Sequence, residues 1–152
     1  MRHPKAVLFA GEKPFPIMPA VDHYAGSEKL MRKALQLQKE LGPIFDITCD
    51  CEDGAHAGAE REHAEMAANL IISEDNLFNR VGARVHDVTH PHWRQDMEIL
   101  VGIAGRRLPF ITLPKPCSAG DVQVQIEALR EIELHFGVDR RIPVHVLIET
   151  HG

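Results

Sequence analysis

Short apolar runs alternate along the chain with longer segments in which apolar residues recur at helical spacing. The runs predict five strands, at residues 5–9, 45–49, 81–85, 110–113 and 144–148. Four helices are predicted between successive strands. Strands that alternate with helices favour right-handed crossovers, so the pattern predicts an α/β domain with a parallel sheet.

Capping residues mark where two of these helices begin and end. Ser27 and Gly42 bound the first helix, and Ser118, with Asp121 three residues later, opens the fourth. Residues 12–19 contain three prolines and predict a loop that runs up to Ser27. The residues predicted to form the buried helix faces are, in chain order, Leu30, Ala34, Leu37, Leu41, Ala59, Met66, Ala67, Leu70, Trp93, Met97, Leu100, Val101, Val122, Ile126, Leu129, Ile132 and Phe136.

Composition places the 152 residues in the class of globular domains, with 44% hydrophobic and 26% charged residues. The net charge of -5 and the scattered basic residues argue against a nucleic-acid surface. No apolar run approaches the length of a membrane helix or of a signal-peptide core, so we expect a cytoplasmic protein. Cys49, Cys51 and Cys117 are an odd number, and Cys49 and Cys51, on the same face of one strand, suit buried thiols better than a disulfide.

Polar residues follow four of the predicted strands. Asp50, Arg84, Lys115 and Glu149 are separated by 34, 31 and 34 residues, and Asp50 opens an acidic segment that continues with Glu52 and Asp53. Because parallel strands end at one edge of a sheet, these side chains are expected to meet there. In α/β folds that edge is where ligands bind.

Five strands of this period fit either a complete open sheet or the first part of an eight-stranded barrel, which takes about 250 residues. The chain ends on a strand without a covering helix, and a parallel sheet needs both faces covered. We therefore expect residues 1–152 to be one domain, the N-terminal part of a (β/α)8 TIM barrel truncated after strand five. Such a chain would hold about the first five strands and four helices.

The strand-end segments resemble motifs of one family. Residues 50–55 resemble its D-L-E-D-A/G motif, 84–86 its R-V-N motif, 113–115 its L-P-K motif and 147–150 its L-I-E-T motif. Residues 8–14 are similar to its first strand and the following F-x-P-G-x-x-P loop. The whole chain thus resembles the citrate lyase β-subunit-like proteins of the HpcH/HpaI aldolase superfamily.

The resemblance implies a modified TIM barrel that cleaves carbon–carbon bonds in hydroxyacyl-CoA esters of the citryl-CoA or malyl-CoA type, or in related hydroxy acids, through an enolate. It implies that Glu149 binds Mg²⁺ together with an Asp beyond Gly152. It assigns Arg84 to the substrate oxygens and places Glu52 and Asp53 near the metal, and Lys115 is a second substrate-binding candidate. A cation or a metal is needed where the enolate charge develops. Relatives of this kind form homotrimers or hexamers.

Two departures from the family pattern affect what the resemblance implies. His86 replaces the family Asn, which puts a group that titrates near neutrality beside the site. Residues 15–27 are longer than the family loop and lack its arginine, so a requirement for CoA stays open.

Two alternatives remain at this stage. The histidines offer a zinc hydrolase reading, with His56, Glu60 and His63 on one helix face and His86, His90 and His92 after strand three. No H-E-x-x-H or paired C-x-x-C accompanies them. The second alternative is an inactive barrel fragment, or one that depends on partner chains.

Overall fold

The computed structural model describes residues 21–55 and 57–150. They form one sheet of five parallel strands in the order β1-β2-β3-β4-β5, with a helix between successive strands. The strands are β1 (Asp22–Ala25), β2 (Asp46–Asp50), β3 (Val81–Arg84), β4 (Ile111–Pro114) and β5 (Val144–Leu147). The helices are α1 (Glu28–Leu41), α2 (Glu60–Ile72), α3 (Trp93–Ala104) and α4 (Ala119–His135). The α/β prediction with a parallel sheet is confirmed.

The first strand among the described residues was not predicted. Residues 5–9 lie outside the described residues, and β1 occupies a segment that was predicted to be a loop. It pairs with β2 from Asp22 opposite Asp46 to Ala25 opposite Cys49, and the Thr48 hydroxyl donates a 2.8 Å hydrogen bond to the Asp22 carboxylate. A four-residue strand with two polar side chains carries no apolar run, so the pattern gave no signal for it.

The core lies between the sheet and the four helices. Every residue of β3 and β4 is buried. The largest fully buried apolar side chains are Met31, Ile47, Ile71, Met97, Leu100, Leu108, Ile111, Leu113, Leu129 and Ile142. Cys49 and Cys51 are buried free thiols, and burial raises the pKa of Cys49 to about 12. Among the described residues, no helix is long and apolar enough to cross a membrane.

The predicted helix caps are confirmed. The Ser27 hydroxyl accepts a hydrogen bond from the Leu30 N–H, and Ser118 and Asp121 form a reciprocal capping box. The predicted buried face of α1 is wrong by one residue, because Leu30 and Leu41 are 54% and 58% exposed.

The buried face of α1 is formed by Met31, Ala34, Leu35 and Gln38. Gln38 is buried there because its side-chain amide donates a 2.7 Å hydrogen bond to the Phe45 carbonyl. The fourth helix shows a similar difference, since Gln125 and Glu133 are buried while Phe136 is 42% exposed. An apolar pattern cannot identify a buried polar residue.

Two glycines bring the end of β1 against the end of β2. A Cβ on Gly26 would lie 2.4 Å from the Gly54 Cα, closer than any side chain tolerates. The absence of both side chains lets the segments after β1 and β2 touch, and this contact closes one side of the region described next.

Candidate active site at the carboxyl ends of the strands

Arg84, the last residue of β3, is the centre of an ion cluster. It stands opposite Asp50 in the parallel register of β2 and β3. Its Nε and Nη2 donate hydrogen bonds of 2.8 and 2.7 Å to the two Asp50 carboxylate oxygens, and both side chains are only 7% exposed. This bidentate geometry fixes the plane of the guanidinium group.

Asp50 is held on its other side by the backbone. The N–H groups of Glu52 and Gly54 each donate a 3.0 Å hydrogen bond to its carboxylate, and the His63 ring donates one of 2.9 Å to its carbonyl oxygen. Burial alone would raise the pKa of Asp50, but the hydrogen bonds from Arg84 and from these two N–H groups outweigh it, so the pKa is lowered. The Asp50–Arg84 pair therefore stays ionised.

Further acids surround the remaining nitrogens of Arg84. Nη1 lies 3.0 Å from a Glu52 oxygen and 3.7 Å from a Glu149 oxygen, and Nη2 lies 3.4 Å from Asp53. The Lys115 ammonium group lies 2.8 Å from both Glu52 and Asp53. These four residues follow β2, β4 and β5, so the carboxyl ends of three neighbouring strands deliver one charged cluster around Arg84.

The cluster contains more acids than bases. Four carboxylates face Arg84 and Lys115, which leaves a formal charge of −2 when every group is ionised. Burial raises the pKa of Glu52, and Lys115 and Arg84 oppose the shift without cancelling it. Asp53 is 58% exposed and Glu149 34% exposed, so both carboxylates are open to a ligand.

Two members of this region were not predicted as site residues. Asp50 was recognised as part of the acidic segment but not as the main partner of Arg84. The Tyr24 ring, from β1, covers the guanidinium group with its centroid 5.3 Å from Cζ. Tyr24 was missed because its strand was taken for a loop. Asp50 lies 34 residues before Arg84, and the same spacing separates Lys115 from Glu149. This regular spacing could have identified Asp50 as a site residue.

His86 borders the cluster. Its Nδ1 lies 2.6 Å from a carboxylate oxygen of Asp96, which also accepts a 3.0 Å hydrogen bond from the His86 backbone N–H. Its ring stacks on the His90 ring at 3.9 Å between centroids. Beside it opens a cleft of about 300 Å³ lined by Glu52, Asp53, Ala55, Ala57, Glu60, His86, Asp87, His90 and Lys115.

All five predicted site residues come together in the structure. The cluster contains Arg84, Glu52, Asp53, Lys115 and Glu149. The histidines, in contrast, assemble no metal site, because residues 21–55 and 57–150 contain no group of three or more His, Cys, Asp or Glu placed to hold an ion. His56 lies outside the described residues, and the zinc alternative finds no support in the rest.

Two solved structures share the fold of this chain. A citrate lyase from Burkholderia xenovorans LB400 is 48% identical over 93% of this chain, with a TM-score of 0.85. The chain belongs to the HpcH/HpaI citrate lyase-like superfamily. A malate synthase from Haloferax volcanii, solved as a lead(II) complex, shares the superfamily's fold at a TM-score of 0.74 and 19% identity over 90% of this chain.

The chain spans 44% of the citrate lyase and 43% of the malate synthase. No protein-family model and no curated protein matches it. The five strands and four helices are thus a part of the TIM barrel of this superfamily, as the resemblance implied.

Proposed function

We propose that the protein is a Mg²⁺-dependent carbon–carbon lyase that cleaves a hydroxyacyl-CoA ester, or a related hydroxy acid, through an enolate. The observation that carries the proposal is the ion cluster around Arg84, which lies at the carboxyl ends of the strands in a chain 48% identical to a citrate lyase. Sites of TIM-barrel enzymes lie at that face of the barrel.

Cleavage next to a carbonyl group leaves a negative charge on the acyl fragment. Arg84 is fixed by Asp50 and turns Nη1 toward Glu52 and Glu149, so a substrate oxygen that entered between those acids would meet a preorganised cation. Asp50 and its backbone donors hold the guanidinium plane before substrate arrives. Lys115, between Glu52 and Asp53, adds a second positive charge for an acidic group of the substrate.

The described residues supply part of a magnesium site. They contain no group of three or more His, Cys, Asp or Glu placed to hold an ion, so the carboxylates around Arg84 would bind Mg²⁺ only together with further ligands. Glu149 lies 3.7 Å from Arg84, beyond hydrogen-bond distance, and the formal charge of −2 on the cluster favours a divalent cation. Glu149 would hold the ion, with Glu52 and Asp53 lining the site, and the resemblance implies a second ligand, an Asp at the end of the next strand of a complete barrel. When bound, Mg²⁺ would supply Lewis-acid stabilisation of the developing charge.

The substrate class follows from the same resemblance. Esters of the citryl-CoA and malyl-CoA types are the first substrate candidates, and free hydroxy acids are the second. Assembly as a homotrimer or hexamer and a cytoplasmic location belong to the same proposal, and the free thiols of Cys49 and Cys51 suit a reducing compartment.

The experiment is a screen of hydroxyacyl-CoA esters and free hydroxy acids with the complete protein, with and without Mg²⁺. We expect cleavage to an acyl product and an oxo compound that EDTA abolishes and added Mg²⁺ restores. Hydrolysis of the thioester with the carbon skeleton intact would show a thioesterase instead. No metal-dependent cleavage of any member of the panel would contradict the proposal.

A further inference from the structure

His86 has three of its four hydrogen-bonding groups fixed. Asp96 accepts from its backbone N–H and from its Nδ1, and the Gln125 side chain donates a 3.2 Å hydrogen bond to its carbonyl oxygen. Stacking on His90, with 10° between the rings, fixes the ring plane. Asp96 comes from the first turn of α3 and is 1% exposed, so the support is rigid and shielded from water.

The fourth group is Nε2. No group among residues 21–55 and 57–150 forms a hydrogen bond with it, and His86 lines the cleft that Glu52, Asp53 and Lys115 share. Since an Asp96 carboxylate can only accept, Nδ1 carries a proton, and Nε2 of the neutral ring has a free lone pair. His86 is two residues beyond Arg84, so the two side chains leave the extended chain on the same face.

We propose that His86, oriented by Asp96, exchanges a proton with the substrate through Nε2. This inference rests on the proposed lyase function. In the cleavage direction Nε2 takes the hydroxyl proton while the carbon–carbon bond breaks. The hydroxyl carbon becomes a carbonyl, and the electron pair of the broken bond passes to the acyl fragment as an enolate. The imidazolium then gives its proton to the enolate carbon, which returns the enzyme to its starting state.

The groups around His86 favour its action as a general base. Burial lowers its pKa, but Asp96 and, more weakly, Glu52 and Glu60 outweigh burial, so the pKa is raised above its ordinary value. The ionisable groups that face it from the neighbouring elements are Glu52, Glu60, Asp87, His90, Asp96 and Lys115. An orienting carboxylate behind an imidazole is the arrangement that general-base catalysis uses in other enzymes.

The test compares four variants of the complete protein on the best substrate of the screen. His86→Asn introduces the residue that the family motif has at this position. His86→Ala opens space for added imidazole, Asp96→Asn removes the orienting charge, and His92→Gln alters a neighbouring histidine that does not line the cleft. Steady-state kinetics from pH 5.5 to pH 9 and thermal unfolding are recorded for each.

We expect His86→Asn to lower kcat by about 100-fold or more, with KM little changed. Imidazole should restore part of the activity of His86→Ala, and Asp96→Asn should move the ascending limb of the pH profile to lower pH. His92→Gln should stay within about threefold of the wild type, a margin well below the smallest effect of a general base.

Two results would overturn the inference while the lyase proposal stands. One is an active wild type with His86→Asn within about threefold of it, well below the effect of losing a general base. The other is a loss in His86→Asn and His86→Ala that imidazole does not restore, with the same pH limb in Asp96→Asn, which would make His86 structural. A wild type that cleaves no member of the panel overturns both proposals.

Discussion

Arg84 and Arg107 lie at opposite ends of the sheet and use their guanidinium groups in different ways. Arg84 is the last residue of β3, at its carboxyl end, and binds side-chain carboxylates. Arg107 lies between α3 and the amino end of β4. It donates hydrogen bonds of 2.6 to 3.2 Å to the Asn79 side chain and to the backbone carbonyls of Ile72, Ser73 and Asn76.

The partners decide what each arginine can do. The backbone carbonyls at the end of α2 and just after it are neutral and fixed. Arg107 therefore ties the end of α2 to the segment after α3 and has no group to exchange for a ligand. The carboxylates around Arg84 exceed its charge, and Asp53 and Glu149 are partly open to solvent. Hydrogen bonds to the backbone indicate a structural arginine, whereas an excess of carboxylates indicates a ligand site.

The same substitution at both positions gives the largest contrast. Lysine cannot reproduce the two-point hydrogen bonding of arginine. Arg84→Lys is therefore expected to lower kcat by about 100-fold or more, the cost of losing one donor to a developing oxyanion. Arg107→Lys should leave kcat within about threefold of the wild type, because its contacts are far from the cluster and its loss removes no such donor. Steady-state kinetics of the two purified variants measure the difference, and equal losses would remove the distinction between the two arginines.

Stability should respond in the reverse order. Arg107→Lys breaks hydrogen bonds to three backbone carbonyls, of which those of Ser73 and Asn76 are half-buried, and we expect it to reduce the free energy of unfolding by about 1–3 kcal/mol. Arg84→Lys retains a positive charge among its carboxylates and should keep the native circular dichroism spectrum. Urea unfolding of both variants checks this expectation, and a larger loss for Arg84→Lys would contradict it.

The fold could be predicted from the sequence where the apolar signal was strong. Strands β2 to β5 and the caps at Ser27 and Ser118 are apparent because apolar runs and capping side chains act locally. Strand β1 was missed, since Asp22 is stabilised in it by Thr48, a residue distant in sequence. The face of α1 was misplaced because the burial of Gln38 depends on the Phe45 carbonyl.

The location of the site could be predicted from the expected sheet topology more than from any single residue. Parallel strands place their ends at one edge, so a series of polar residues at one period predicted that Arg84, Lys115 and Glu149 would meet. The partner of His86 could not be predicted, because Asp96 lies in the first turn of a helix, where acids are common for other reasons. Contacts between neighbouring elements become visible only in three dimensions.

The dependence of stability on acid pH tests how much the ionised Asp50 carboxylate stabilises the fold. Its pKa is lowered in the folded protein, so its stabilising contribution is present above its unfolded pKa and is lost as pH falls through the folded pKa. The wild type should lose stability as pH falls below about 4, the ordinary pKa of Asp, and Asp50→Asn should show a shallower loss. Asp46→Asn, at the amino end of β2, is the matched control. Thermal unfolding between pH 3 and pH 7 measures the slopes, and parallel slopes for all three proteins would contradict this reading of Asp50.

The smallest effect is expected for Arg94, an exposed residue of α3. It contacts Glu98 at 3.3 Å and Glu131 at 3.0 Å on the surface. Exposed ion pairs contribute little, so Arg94→Ala should change the free energy of unfolding by less than about 1 kcal/mol. Urea unfolding measures it, and a change as large as that of Arg107→Lys would show that the number of partners matters more than their kind.

The central claim is that the carboxylates around Arg84 form a magnesium-dependent site. Calorimetric titration of Mg²⁺ into the complete protein tests it most directly, for the wild type, Glu149→Gln and the surface control Glu98→Gln. We expect the wild type and Glu98→Gln to bind Mg²⁺ equally and Glu149→Gln to bind it at least about tenfold more weakly, with loss of cleavage. Equal Mg²⁺ affinity in Glu149→Gln and the wild type would contradict the claim.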